Sequence, residues 1–213
     1  MFKKLDTLDK MILDTSRNLF IENGIHATEM KNIAARCDIG RSTLYRHFTS
    51  KEQIAFYVAD EIITQLFCTD ITPRIHPGMS GHEKFSLKLQ SDLEYMKENP
   101  ELIRFLDEFE QLFNDDYHRI TESGTYEGSI FRISASGNKP YIFYEEGLKD
   151  GSIHRPADER LQYLSILHTL LGLAQRIIPR KQHYEQEYGY SLEILDNTLA
   201  LLLASIQSTS QSS

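Results

Sequence analysis

Cysteine is scarce in this chain of 213 residues, which holds only Cys37 and Cys68. Two thiols so far apart exclude a disulfide framework and a thiolate zinc site, and each reads as a small buried hydrophobe. Long apolar runs are missing as well. The longest nearly unbroken one, residues 199–206, falls well short of the roughly 18 residues that span a bilayer. The opening MFKKLDTLDK has no apolar stretch that would serve as a signal peptide, which predicts a cytoplasmic protein with no membrane partner. There is no glycine-rich phosphate loop, no nucleophile elbow and no His-Glu-x-x-His string, and the histidines show no paired i, i+4 spacing. These absences argue against an enzyme and a metal site, and no cofactor is expected.

A share of 40% hydrophobic and 25% charged residues is ordinary for a globular chain, which excludes collagen-like, mucin-like and broadly disordered readings. Low complexity is confined to the end, where residues 209–213 are expected to form a disordered tail. The net charge of −8 speaks, taken alone, against non-specific nucleic-acid binding. Its distribution changes that. Residues 1–57 carry nine Lys/Arg against seven Asp/Glu, and residues 58–213 carry fourteen against twenty-four, a mildly basic head on an acidic body.

Helical punctuation dominates. Leu8, Ile12, Leu19 and Phe20 follow the rhythm of an amphipathic helix that Gly24 should end. Thr28 is a suitable N-cap for a short second helix through Ile33 and Ala34, stopping near Cys37 and Asp38. A third short helix fits residues 41–48, and the Ser50 to Gln53 spacing has the capping-box form for a fourth, running through Phe56 and Ile63 toward Phe67. Beyond a Pro/Gly loop, helices are expected over residues 85–96, from Pro100 through Phe113, over 140–149 with stops at Gly147, Asp150 and Gly151, over 158–178 and over 191–208. Residues 114–139 give no clear pattern. The fold class is therefore all-α with about nine helices. Residues 1–50 form a three-helix head, and residues 51–208 a larger helical body.

Three short helices followed by a longer one, with the second and third joined by Asp38, Ile39 and Gly40, have the proportions of a helix-turn-helix. A recognition helix needs polar side chains toward the major groove and apolar ones on its opposite face. Arg41, Ser42, Thr43, Arg46 and His47 supply donors and acceptors, while Leu44 and Phe48 supply the locking face. Tyr45, Lys51 and the Thr28 hydroxyl are placed to reach phosphate oxygens. For Arg41 two readings stand side by side: a solvated cation near a helix start, or an arginine that binds guanine O6 and N7. His47 likewise reads as a packing histidine or as a DNA contact.

The stretch GIHATEMKNIAARCDIGRSTLYRHFTSK, residues 24–51, resembles the DNA-binding head of tetracycline-repressor (TetR) type transcriptional regulators. The matching elements are Gly24-Ile25, Thr28, Ile33-Ala34, Thr43-Leu44-Tyr45, His47-Phe48 and Ser50-Lys51. The resemblance implies that Thr28, Tyr45, His47 and Lys51 grip phosphates and that Arg41, Ser42, Thr43 and Arg46 face base edges. Asp38, Gly40 and Ser42 depart from the usual pattern. Asp tolerates a left-handed conformation and Gly is a fair N-cap, so the fold is expected to survive.

In the body, Leu192, Leu195, Leu199, Leu202 and Ile206 make one stripe, and Ile194, Leu201 and Ala204 widen it. Leu161, Leu164, Leu167, Leu171, Ala174 and Ile178 do the same one helix earlier, with Gly172 allowing close approach. Either both helices are central to one monomeric core, or they join the same pair of a second subunit. The second reading supplies the two-fold symmetry that half-sites about 34 to 36 Å apart require, with Leu164, Leu171, Gly172, Leu195, Leu199 and Leu202 at the interface. Tyr95, Phe105, Phe109, Phe113, Tyr141, Phe143 and Tyr144, with His168 and Gln175, are either ordinary core or the lining of an effector pocket. The function expected is a homodimeric repressor, released from a two-fold symmetric double-stranded DNA operator by a small apolar or amphipathic effector. The fourth helix would be the lever. The rivals are a regulator without a small-molecule effector, constitutive or working through a protein partner, and a small helical enzyme using Glu145, Glu146 and His168.

Overall fold

The computed structural model describes residues 5–67, 69–113 and 139–208. Cys68 and the tail 209–213, on which expectations were placed, lie outside these residues. The helices are α1 (Thr7–Asn23), α2 (Met30–Arg36), α3 (Arg41–His47), α4 (Lys51–Leu66), α5 (Gly81–Glu98), α6 (Pro100–Phe113), α7 (Lys139–Asp150), α8 (Glu159–Ile177), α9 (Lys181–Tyr188) and α10 (Leu192–Ile206), with 3-10 turns at Thr72–Arg74 and Ile178–Arg180. The fold is all-α. No helix among the described residues is long and apolar enough to cross a membrane.

The chain divides into two compact units. The first contains α1 to α3, α4 as far as Thr64, and α6 from Glu101, so the expected head of residues 1–50 lies inside a larger body of packed helices. Helix α1 begins with a capping box: Asp6 Oδ1 accepts the Asp9 N–H at 2.8 Å, and Asp9 Oδ2 accepts the Asp6 N–H at 2.9 Å. It ends at Gly24, whose φ of +84° needs a glycine, but with ψ at 157° the residue is extended rather than in the left-handed helical conformation expected there. Helix α2 closes with a Schellman motif. Asp38 takes φ +52°, its N–H bonds Ala35 O at 3.2 Å, and the Ile39 N–H bonds Ala34 O at 3.0 Å. Asp38 thus does the work of a turn glycine, and cheaply, because a short polar side chain tolerates this region. Ile12, Phe20, Ile33, Leu44, Phe48 and Ile54 are buried. Phe105 and Phe109 join them, Phe105 stacking on Phe20 at 6.1 Å and Phe109 standing edge-on to Phe56 at 4.8 Å.

The second unit holds the end of α4, α5 and α7 to α10. Helix α5 starts earlier than the apolar spacing predicts, at Gly81, behind a Ser80/Glu83 capping box. Its start crosses α7 backbone to backbone, and a Cβ built on Gly81 would stand 1.9 Å from Gly147 N. Gly147, expected as a helix stop, lies inside α7 and serves this crossing instead. Asp150 ties the two together, accepting the Gly81 N–H at 2.6 Å and the Ser152 N–H at 2.9 Å. Burial opposes its charge, yet these bonds and the Ser152 hydroxyl hold the carboxyl below the usual carboxylate range. Helix α9 carries no buried residue, which is why no apolar period announces it.

The last helices correct the expected interface. Leu195 is 0% exposed, and Leu199 and Leu171 are buried as well, so this chain's own elements cover them and they offer no side-chain surface to a second copy. Leu164 and Leu202 are half-buried and Gly172 is exposed. The open stripe of α10 is the other one: Leu201 is 64% exposed, Ala204 is exposed, and Ile194 is half-buried. On α8, Leu161 is 63% exposed.

Candidate nucleic-acid interface

Helix α3 is locked from behind by Leu44 and Phe48, both buried, and presents Arg41, Ser42, Tyr45 and Arg46 outward, with Thr43 half-buried between them. Tyr45 is 50% exposed, which a large aromatic ring adopts at a cost in apolar exposure that a binding partner would relieve. The start of α2, Arg41 and Tyr45 of α3, and the start of α4 frame an open hollow of about 430 Å³, its rim completed by Glu29, Met30, Lys31, Thr49, Ser50, Lys51 and Glu52. Its charged lining is Lys31, Arg41 and Lys51 against Glu29 and Glu52, an excess of one positive charge. The Lys31 ammonium, at 2.7 Å, holds the Glu29 carboxyl below its ordinary value, and the charges of Arg41 and Lys51 act in the same direction. Ser50 Oγ accepts the Gln53 N–H at 3.2 Å, as a capping box requires, but Gln53 Oε1 reaches past Ser50 to the Thr49 N–H at 2.8 Å.

Three expected phosphate contacts have inward duties. Thr28 is 1% exposed and its hydroxyl donates to Gly24 O at 2.8 Å, so its one proton is unavailable to a phosphate and the expectation for its side chain is corrected. Nor does it cap α2, whose N-cap is Glu29 with no side-chain bond. Lys51 Nζ donates to Ile25 O at 2.7 Å and to His26 O at 3.1 Å, which leaves one of its three N–H groups for an outside acceptor. His47 Nδ1 stands 2.8 Å from Oδ1 of the fully buried Asp9 and 4.0 Å from Asp6 Oδ2. Asp6, Asp9 and His47 are the one group of three potential metal ligands among the described residues. Their other carboxylate oxygens serve the capping box of α1, so the cluster reads as a clasp between α1 and the end of α3. Sequence reasoning missed Asp9 because it stands 38 positions from His47, beyond any local spacing rule.

The residues expected to line an effector pocket fall into both units. Phe105, Phe109 and Phe113 belong to the core of the first, Phe113 lying 5.6 Å from Phe56 between ring centres. In the second, the half-buried Tyr95 shares a hydrogen bond with Gln65, and Tyr141 and the buried Tyr144 pack with Phe85 and Tyr163. Gln175 is buried with its Nε2 unpartnered, while His168 is exposed on α8 and is no part of an interior lining. Burial raises the Tyr144 hydroxyl to about 12. It also pushes Asp92 up to about 6, despite the bonds from Lys88 and Thr69. Glu145 and Glu146 pair with Lys149 and Lys84.

Residues 12–58 match the family model of bacterial regulatory proteins, tetR family. The HTH-type transcriptional regulator UidR of Escherichia coli K12 is 49% identical over 43 residues, which cover 20% of this chain and 22% of UidR. The chain thus matches only about a fifth of the length of that relative. The uncharacterized HTH-type transcriptional regulator YhgD of Bacillus subtilis is 26% identical over 77% of this chain and 81% of its own. Among solved structures, FadR of Thermus thermophilus, a TetR family transcriptional repressor in complex with lauroyl-CoA, superposes with a TM-score of 0.65 at 16% identity, over 96% of this chain and 97% of FadR.

Proposed function

Because this chain belongs to the TetR family of bacterial regulatory proteins, we propose that it is a cytoplasmic, homodimeric repressor that binds a two-fold symmetric DNA operator and leaves it when a small apolar or amphipathic effector binds. The observation that carries the reading is the outward face of α3 beside the hollow that Lys31, Arg41 and Lys51 line. Arg41, Ser42, Thr43 and Arg46 read base edges from it, and Tyr45 and the remaining Lys51 donor grip phosphates. His47 belongs to the same grip, held by Asp9. Residues 1–50 supply the DNA contacts and residues 51–208 the dimer and effector functions. Two copies meet through the open stripes of α8 and α10, around Leu161, Leu164, Gly172, Ile194, Leu201 and Leu202, which sets the two heads at operator spacing. In FadR the same fold holds an amphipathic ligand. An effector that favours a wrong head separation by about 1 to 3 kcal/mol changes operator affinity about 5 to 150-fold.

Selection of genomic fragments with the purified wild-type protein tests the reading. Recovery of one inverted repeat, bound with a steep fall in affinity as salt rises, is the expected result. Failure to enrich any sequence would overturn it. Melting the protein against a metabolite library then tests the effector, which should raise Tm by mass action.

A further inference from the structure

The turn between α1 and α2 is held from two sides. Lys51 clasps its carbonyls, Ile25 O and His26 O. From the other side Glu108 of α6 accepts the His26 N–H at 3.0 Å, across 82 positions of sequence. Gly24 makes room for that carboxylate: a Cβ there would stand 3.1 Å from Glu108 Oε1 and 3.2 Å from Oε2. Phe105, on the same helix, stacks on Phe20 of α1, so α6 is seated against the head by packing as well as by a hydrogen bond. The turn leads directly into the hollow. Thr28 bonds back to Gly24 O, and Glu29, Met30 and Lys31 form the wall.

We infer that Glu108 is a positioning residue for DNA binding: by accepting the His26 N–H it sets the α1–α2 turn, and with it the Glu29–Lys31 wall, from a helix outside the three-helix head. This rests on the DNA-binding reading above, and it adds a route of regulation beside α4. A displacement of α6 that lengthens this 3.0 Å bond beyond hydrogen-bond range would release the turn.

The test compares Glu108→Ala with Glu108→Gln on an operator fragment selected by the wild type, with Tyr45→Ala beside them. Both Glu108 variants remove the same negative charge, so their ratio is free of that charge effect, and the glutamine carbonyl can still accept the His26 N–H. Glu108→Ala should bind about three to ten times more weakly than Glu108→Gln. The His26 amide should exchange with solvent faster in the alanine variant only. Equal affinities, or equal exchange at His26, would overturn the inference. Should Glu108→Ala fail to fold, Glu108→Asp takes its place against the wild type, whose charge it shares and whose reach it lacks by one methylene. Unchanged binding by Tyr45→Ala would instead sink the DNA-binding reading itself, so the two failures are distinguishable.

Discussion

Replacing Gly81 by alanine puts a methyl group 1.9 Å from Gly147 N and 2.4 Å from Gly147 Cα and Glu146 C, all of them backbone atoms that no rotamer can move aside. To restore ordinary contact, α5 and α7 must part by about 1.5 Å. That displacement stretches the Gly81 N–H bond to Asp150 Oδ2, now 2.6 Å, and the His82 N–H bond to Ser152 Oγ, now 2.9 Å. The bond to a carboxylate contributes about 1.5 to 3 kcal/mol and the other about 0.5 to 1.5, while replacing a helical glycine returns at most about 1 kcal/mol. The net loss is about 1 to 3.5 kcal/mol. At about 2 to 4 °C per kcal/mol for a chain of this size, Tm should fall by several degrees, read by far-UV circular dichroism. Gly147→Ala is the internal comparison. Its Cβ would meet the Ile153 side-chain end at 2.5 Å and His82 N at 3.2 Å, and because a side-chain end can rotate away, the cost should be smaller. If Gly81→Ala melts with the wild type, or if Gly147→Ala proves the more damaging, the backbone crossing does not hold the second unit together as described.

Arg41→Ala should relax base preference at one operator position at a cost of about 1 to 3 kcal/mol, whereas Tyr45→Ala should weaken all sequences together; competition binding against single-base operator variants separates the two patterns. Leu195→Glu should unfold the second unit, since it buries a charge at a fully covered position. Leu201→Glu should leave helicity intact and abolish the dimer, with mass read by light scattering. Asp92 gives stability a pH signature. With its carboxyl raised to about 6 from 3.8, the folded chain keeps a proton that the unfolded chain has already released, so its contribution is full below about pH 4 and is lost as pH rises through 6. Urea titrations across that window should show the falling slope, and the double replacement Lys88→Met with Asp92→Leu should flatten it.

Local chemistry was legible in the sequence wherever a backbone group takes its partner from within a turn or two. Gly24 after α1, the left-handed Asp38, Gly40 before α3 and Pro100 opening α6 are such cases. So was the outward face of α3, because Leu44 and Phe48 declare by spacing which side must be covered. Where two faces of a helix are both apolar, spacing alone cannot choose between them. In α10 packing against the rest of the second unit buries Leu195 and Leu199 and leaves Leu201 outside. Thr28 has the composition of a cap and the surroundings of a core residue, and the carbonyls of Leu19 and Gly24 take its hydroxyl. The clasp of Asp9 on His47 and the hold of Glu108 on His26 join residues 38 and 82 positions apart. Such pairs form only once hydrophobic packing has set the helices side by side, so their partners are decided by the tertiary structure and leave no period in the chain.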